Sequence, residues 1–294
     1  MHIETLKVFC DLAETRSFTR TAQLNGITQS AVSQLVRTLE RAFQARLLER
    51  GKRTSGLTRE GQVVYEAGKQ IVRGYELLHA KMQEVRDIVA GTIRVATIYS
   101  IGLHDLPAYI KTFMRLYPTV KVQVQCRHAH QVYEDVLSDT ADIGLVACPE
   151  RHLKLELVPF GQDELALICH PQHPLAQQNG VKLTVLGQQK FVGFEPDLPT
   201  RRAVDKILRS RGVAAQYAVE FDNIETVKRA VEIEAGVAIV PRGTVTQEVE
   251  KQTLVAVPIE GGPFYRPLGI IYKKKRVLPP PMKQFLAVLK DERD

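Results

Sequence analysis

The sequence predicts an α/β protein that carries a separate helical domain at its N-terminus and a long helix between the two parts. Three observations support this architecture. Amphipathic helices follow one another in residues 1–58, no proline interrupts residues 58–90, and strand-like and helix-like segments alternate after Gly91. A chain of 294 residues is long enough for two or three folded units.

The composition is that of a globular protein. Hydrophobic residues make up 44% of the chain and charged residues 25%, which excludes a largely disordered or fibrous protein. Glu4 and Lys7 interrupt the first apolar stretch, so we expect neither a secretory signal nor a membrane span, and a cytoplasmic location. The four cysteines are scattered and lack the close pairing of a zinc site, so we expect reduced thiols.

Positive charge is concentrated near the N-terminus. The chain has a net charge of +7, and residues 1–59 hold ten Lys and Arg against five acids, a net of +5. A basic field on a small unit is typical of a phosphate-binding surface, although basic residues also form ordinary solvated faces.

Three short helices are predicted in the first 45 residues. The first ends near Thr15, Ser17 caps the second, Gly26 provides the tight turn after it, and Thr28 caps the third. The third helix has an apolar stripe made of Val32, Leu35, Val36, Leu39 and Phe43.

The start and opposite face of the third helix are polar. Amide, hydroxyl and guanidinium groups in this arrangement can read base edges and phosphates in the major groove. The candidate DNA-binding residues there are Thr28, Gln29, Ser30, Ser33, Gln34 and Arg37. A hairpin follows between Leu47 and Leu57, and Arg50 and Arg53 at its tip would contact the backbone or minor groove as a wing. The alternative is a three-helix cluster with a solvated polar face.

The order of the residues favours DNA binding. SFTRTA (17–22), TQSAVSQLVRTLE (28–40) and LLERGKRTSGLTREG (47–61) closely resemble the winged helix-turn-helix of LysR-type transcriptional regulators. Leu48 departs from the aromatic residue common in that family, at a core position. The resemblance implies a sequence-specific transcription regulator that is not an enzyme, with a winged helix-turn-helix domain at residues 1–58.

Residues 59–90 form a predicted linker helix. A heptad pattern of this length predicts that the helix pairs with a second copy, although it could instead lie on its own domain. The apolar positions are Val64, Gly68, Ile71, Tyr75, Leu78, Met82, Val85 and Val89. The resemblance implies that the linker dimerises and spaces two recognition helices on an interrupted palindromic operator in double-stranded DNA. The sequence does not separate a homodimer from a homotetramer, and RNA polymerase is a further partner of such a regulator.

Residues 91–294 are predicted to form two α/β lobes around a mainly parallel sheet. We place lobe I at about 91–161 and 267–294, and lobe II at about 162–266. Predicted strands include residues 120–126 and 143–147 in lobe I, 165–169 in lobe II, and 268–273 where the chain returns to lobe I. Together with the stretch FDNIETVKRAVEIEAGVAIVP (221–241), this pattern resembles the effector domain of the same regulators, which is similar to periplasmic binding proteins.

Four loops at the carboxyl ends of strands could bind a small-molecule effector: 100–102, 148–149, 194–202 and 222–226. Helix starts in these loops favour an anionic ligand. The candidate effector-binding residues are Ser100, Ile101, Thr200, Arg201 and Asn223. Alternatively, Ser100 caps a helix, and Arg201 pairs internally with Asp205 or with the nearby Glu195 and Asp197.

Metal and catalytic sites are weakly supported. Cys126, His128 and His130 would share one face if they continued a strand, but His130 fits better as part of the next helix. No GxSxG, HExxH or P-loop motif occurs, so we expect no catalytic residues, metal or cofactor. The rival functions are a cytoplasmic solute-binding protein with a basic assembly segment and a non-specific nucleoid protein.

Overall fold

The computed structural model describes residues 2–49, 56–84, 89–274 and 276–291. The chain divides into two compact units, Met1–Ile88 and Val89–Asp294. In the described residues no helix is long and apolar enough to cross a membrane.

The described residues of the first unit form four helices: α1 (Ile3–Thr15), α2 (Phe18–Asn25), α3 (Gln29–Phe43) and α4 (Arg59–Glu84). Their caps are those predicted. Ser17 Oγ accepts from Arg20 N, Thr28 Oγ1 accepts from Ala31 N, and Gly26 has a φ of 64°, in the left-handed region. The predicted helix-turn-helix is therefore confirmed.

The core of the first unit lies where α1, α3 and the start of α4 meet. Leu6, Phe9, Val32 and Leu39 are fully enclosed there. Phe43 was predicted to extend the apolar stripe of α3 but is 46% exposed, because α3 ends at that residue, beyond the reach of the core.

The second unit begins with lobe I. Its elements are β1 (Gly91–Thr97), a π-helical turn (Ile101–Asp105), α5 (Leu106–Leu116), β2 (Val120–Cys126), α6 (Ala129–Leu137), β3 (Ile143–Ala147) and the long β4 (Leu155–Cys169).

Lobe II follows, and the chain then returns to lobe I. The elements are a 3-10 turn (Pro174–Gln177), α7 (Leu183–Leu186), β5 (Lys190–Phe194), α8 (Pro199–Arg209), β6 (Gln216–Phe221), α9 (Ile224–Glu232), β7 (Ala238–Pro241), a 3-10 turn (Arg242–Val245), α10 (Thr246–Glu250), β8 (Val255–Val257), β9 (Phe264–Lys273) and α11 (Pro280–Asp291).

Two long strands connect the lobes. The main sheet has the order β2-β1-β3-β9-β4-β7, with β8 also paired to β4. β1 is parallel to β2 and β3, but every pairing of β4 and β9 is antiparallel. The expectation of a mainly parallel sheet is therefore wrong. Short-range patterning showed only the ends of β4 and β9, whereas each strand runs continuously from one lobe into the other.

Each lobe is a sheet covered by helices on both faces. In lobe I, α5 and α11 bury residues such as Phe113 and Phe285 on one face, and α6 covers the other. In lobe II, α8 lies against one face and α9 against the other. This layering turns helix starts and strand ends toward the cleft between the lobes.

The linker helix is shorter than predicted. It is described as far as Glu84, and Val85 lies outside the described residues. Val89 and Ala90 are not helical, and Val89 packs against the core of lobe I. Its apolar side chain therefore belongs to the second unit rather than to the heptad pattern.

Candidate DNA-binding and effector sites

The polar face of α3 is open to solvent. Gln29, Ser30, Gln34 and Arg37 are exposed and Ser33 is half-buried, while Val32 and Val36 on the opposite side are enclosed. Arg37 makes no side-chain hydrogen bond or ion pair within the described residues. The amides and the guanidinium are thus available to base edges or phosphates.

The hydroxyl groups on this helix have local roles as well. Thr28 Oγ1 caps the helix and lies 2.9 Å from Ser30 Oγ, and Ser33 Oγ donates to Gln29 O at 3.2 Å. The base of the predicted hairpin is present, since Leu48 bridges Leu57 in antiparallel fashion. Arg50 and Arg53 lie outside the described residues, so their predicted wing contacts stay a prediction.

The heptad pattern of α4 is divided into two parts. Val64 packs on the helix-turn-helix core, and Gly68 lies so close to Leu6 and Cys10 that an added Cβ would be 3.0–3.2 Å from them. The alternative of a helix lying on its own domain is therefore correct for the first turns, and the close approach at Gly68 is to α1. The remaining apolar side chains, Ile71, Tyr75, Leu78 and Met82, are 43–57% exposed.

A cleft between the lobes carries the candidate effector site. Three of the four predicted loops line it, through Ser100, Leu198–Thr200 and Asp222–Ile224. The enclosed space together with its open mouth measures about 460 Å³. The fourth predicted loop faces an adjoining cavity instead, which is lined by Cys148 and Glu150 among others.

Arg266 on β9 lies at the polar end of this cleft. Its side chain is 1% exposed, and it donates through Nη2 to Ser100 Oγ at 2.9 Å and through Nη1 to Thr200 Oγ1 at 2.7 Å. Nε and Nη2 also donate to Asp163 Oδ2 at 2.9 and 2.7 Å. One guanidinium thus joins a helix start of lobe I, a helix start of lobe II and the connecting strand β4.

The sequence prediction missed Arg266. The sequence predicts a strand that starts only at Leu268 and leaves Arg266 in a loop, whereas β9 begins at Phe264. In the extended strand, residues 264, 266, 268 and 270 share one face, so an arginine in the buried row was the available signal. Ser100 makes no capping hydrogen bond, so the alternative of a simple N-cap is not supported.

Arg201, the predicted cationic ligand, is held internally. Its Nε donates to both carboxylate oxygens of Asp205 at 3.0–3.1 Å, and its Nη1 donates to Glu220 and to Phe194 O. The guanidinium carbon lies 3.4 Å from the ring centroid of Tyr217. The predicted internal ion pair with Asp205 is thus present. The second carboxylate partner is Glu220 rather than Glu195 or Asp197. Arg201 is not part of the cleft wall.

Two other predicted residues also have mainly structural roles. Ile101 is fully buried in the core of lobe I and is not in the cleft wall. Asn223 does line the cleft, but its Oδ1 caps α9 by accepting from Thr226 N at 3.1 Å, and its Nδ2 donates to Asp222.

Histidines bridge the lobes beside the cleft. His104 of lobe I lies 2.8 Å from Glu225 of lobe II, and His128 lies 3.6 Å from Asp222. Glu225 also pairs with the buried Lys228 at 2.9 Å. Burial raises the pKa of Glu225, but hydrogen bonds from Lys228 and His104 outweigh it and lower that pKa below its ordinary value.

The described cysteines and histidines do not assemble into a metal site. β2 ends at Cys126, His128 precedes α6 and His130 lies within it, so the three residues do not continue one strand. Within the described parts of the chain no three His, Cys, Asp or Glu side chains lie together so that they could hold a metal ion. All four cysteines are free thiols, and burial raises the pKa of Cys10 to about 12 and that of Cys169 to about 11.

Two family models together cover nearly the whole chain. Residues 3–62 match the bacterial regulatory helix-turn-helix protein, lysR family, and residues 86–294 match the LysR substrate binding domain. The chain is similar to the HTH-type transcriptional regulator CysL of Bacillus subtilis, with 28% identity over 92% of this chain and 91% of CysL.

Solved structures share the fold. Full-length CbnR in complex with its target DNA superimposes with a TM-score of 0.70 at 21% identity, covering 98% of this chain and 99% of CbnR. The regulatory domain of Synechocystis PCC6803 CcmR in complex with 2-PG has a TM-score of 0.63 at 23% identity, covering 68% of this chain and 95% of that one. The helix-turn-helix, the two-lobed α/β domain and both family matches agree, and the chain belongs to the LysR family of transcription regulators.

Proposed function

We propose that this regulator binds an interrupted palindromic operator as a dimer or tetramer, and that a small anion bound between its lobes changes its activity. It acts by binding rather than catalysis, in the cytoplasm, with RNA polymerase as a further partner. The observation that supports DNA reading most directly is the open polar face of α3, with Gln34 and Arg37 exposed opposite an enclosed apolar stripe.

The DNA-binding residues divide into two groups. Gln29, Ser30, Ser33 and Gln34 are placed for base edges or nearby phosphates, and Thr28 positions the helix start through its cap. Arg37, together with Arg50 and Arg53 of the wing, supplies charge to the backbone or minor groove. A domain of residues 1–58 with a linker to about residue 90 provides this unit.

Sequencing the DNA retained by the purified protein would identify the operator. Gln34→Ala should then weaken operator binding by about 1–3 kcal/mol and random DNA far less, because a base contact is lost. Arg37→Ala should reduce the slope of log affinity against log salt by about 0.9. Gln62→Ala, which removes another exposed glutamine on α4, is the control. An equal loss on operator and random DNA for Gln34→Ala would contradict base reading.

Dimerisation is proposed through the exposed stripe of α4. Ile71, Tyr75, Leu78 and Met82 repeat at intervals of four and three residues over about 16 Å, as in a coiled-coil seam. Because charged side chains there would be buried without partners, Ile71→Glu with Leu78→Glu should separate the pair. Val63→Glu is the matched control, since Val63 is 64% exposed but lies about a quarter turn around the helix from this stripe. An unchanged mass by light scattering and unchanged operator affinity in the double variant would contradict the proposal.

The effector site is proposed at the polar end of the cleft. Ser100 and Thr200 are buried hydroxyls at two helix starts, where first-turn N–H groups lack intrahelical partners. Asn223 is a further polar contact at the rim. Beyond this polar end, Ile98, Phe194, Leu198 and Ile224 supply an apolar part of the wall, and Arg127, His128 and Asp222 also line the cleft. This combination suits a small ligand with one anionic end and a short apolar body.

Thermal melting of the full-length protein tests the site. Sulfate, phosphate or small organic acids should raise the midpoint, because a ligand at ten times its Kd stabilises the folded state by about 1.4 kcal/mol. Ser100→Ala and Thr200→Val should diminish that rise, whereas Ser138→Ala, at an exposed serine after α6, should not. If no anion shifts the midpoint, or if the cleft variants respond like the wild type, the proposed site is wrong.

A further inference from the structure

The hydroxyls of Ser100 and Thr200 are constrained by Arg266. A hydroxyl has one O–H donor and two acceptor lone pairs. Each of these oxygens accepts an N–H from Arg266, at 2.9 and 2.7 Å, and neither has another hydrogen-bond partner among the described residues. Both side chains are 6% exposed and line the cleft. Two buried O–H donors are therefore left to point into the cleft.

The charge of Arg266 alone does not account for anion selection. Asp163 accepts two of its hydrogen bonds, and its side chain is 14% exposed, so the positive charge is largely compensated inside the protein. Arg127, the other cleft arginine, pairs with Asp135 at 3.2 Å. The direction of the O–H donors, rather than net charge, is what the polar end offers to a ligand.

The guanidinium is the group that can impose this direction on both lobes together. Its planar fork projects N–H groups along fixed, diverging directions, whereas an ammonium is a compact point charge on a flexible stem. Because Asp163 fixes the fork through Nε and Nη2, the remaining N–H groups are aimed at one hydroxyl from each lobe. An arginine has no acceptor, so it cannot reverse the arrangement.

We propose that Arg266 determines the ligand selectivity of the cleft: by donating to Ser100 and Thr200 it makes both hydroxyls donors to the ligand. The site then selects a carboxylate, with two acceptor oxygens, over an amide or an amidine of the same shape. Arg266 acts here as a positioning residue, through the two hydroxyls. This inference rests on the proposed effector site and adds the chemical class that the site accepts.

An isosteric series tests it on the full-length protein. Propionate, propionamide and propionamidine have the same size. Propionate offers two acceptor oxygens, propionamide one acceptor oxygen and one donor NH2 group, and propionamidine, as the amidinium ion, only donor N–H groups. Dissociation constants come from ligand-observed NMR. The wild type should bind propionate about tenfold more tightly than propionamide, the size expected for one hydrogen bond to a charged group, and propionamidine most weakly.

Arg266→Lys is the decisive variant, with Arg242→Lys as its control. Lysine keeps the charge beside Asp163 but cannot hold both hydroxyls, so the preference for propionate over propionamide should fall about tenfold, to near unity. Arg242 pairs with Glu164, beside Asp163 in sequence, but is 59% exposed, and its replacement should leave the preference unchanged. Circular dichroism and operator binding verify the fold of each variant.

A second variant tests the proposal even if Arg266→Lys does not fold. Ser100→Ala with Thr200→Val keeps Arg266 and Asp163 while removing both donors, so it should also lose the preference. If Arg266→Lys folds and keeps the wild-type ranking while Ser100→Ala weakens propionate binding, the role of Arg266 is refuted and the effector site stands. If neither the series nor sulfate and phosphate bind the wild type, both the effector site and this inference are overturned.

Discussion

Replacing Arg201 by alanine separates a structural role from a ligand-binding one. The guanidinium of Arg201 contacts two carboxylates, a backbone carbonyl and the face of Tyr217. Removing it leaves Asp205 and Glu220 close together without their cation. Breaking a buried ion pair costs about 3–5 kcal/mol, and the loss of a cation–π contact about 0.5–1 kcal/mol more.

The two carboxylates are not fully buried, which reduces that cost. Their side chains are 28% and 37% exposed, so water can solvate them after the substitution. We therefore expect Arg201→Ala to destabilise the protein by about 2–3 kcal/mol, at or below the lower end of the range for a fully buried pair. For a unit of this size, the thermal midpoint should fall by about 5–10 °C.

The assay is thermal unfolding followed by circular dichroism, with and without the anions that stabilise the wild type. Arg202→Ala is the neighbouring control, because Arg202 is 56% exposed and pairs only with Glu150 among the described residues. That variant should change stability by less than about 0.5 kcal/mol. If Arg201→Ala instead melts like the wild type but loses the anion-induced rise, Arg201 is a ligand-binding residue and our reasoning is wrong.

Three further predictions concern the rest of the chain. Gly61→Ala should destabilise the DNA-binding unit by about 1–3 kcal/mol in urea unfolding, because the added Cβ would overlap the carbonyl of Leu47. Gly74→Ala should instead stabilise this unit by about 0.5–1 kcal/mol, because no atom lies within 4 Å of the added Cβ and alanine favours the helix. Similar effects of the two variants would contradict the packing at Gly61. The four cysteines should react slowly with iodoacetamide in the native protein at neutral pH, because burial raises all four pKa values and little thiolate is present; rapid native labelling, measured by mass spectrometry, would be inconsistent with that burial. The pKa of Glu225 is lowered, so its contribution to stability is complete above pH 4.5, the ordinary glutamate pKa, and is lost as the pH falls below 4.5. Glu225→Gln should therefore flatten the acid limb of a stability–pH profile. An unchanged acid limb would show that Glu225 is not coupled to His104 and Lys228 in solution.

Local physical chemistry in the sequence was sufficient for the DNA-binding unit. Helix caps at Ser17 and Thr28, the glycine turn at Gly26 and the apolar stripe of α3 act within a few residues, so each could be predicted without knowing the fold. The same holds for β2 and β3 in the second unit, whose bounds agree with the prediction because short apolar runs end at clear turn signals.

Contacts between distant segments decided the rest. Arg266 meets Ser100 across 166 positions of the chain, and Arg201 finds Glu220 on the neighbouring strand, so no local pattern could distinguish a cleft arginine from an internally paired one. The heptad pattern of α4 was visible in the sequence, but only the packing of α1 on Gly68 divides it into a covered and an exposed part. Side-chain type and spacing therefore determined which groups were available. The tertiary structure determined which of them face the cleft, because burial and ion pairing depend on neighbours that are remote in sequence.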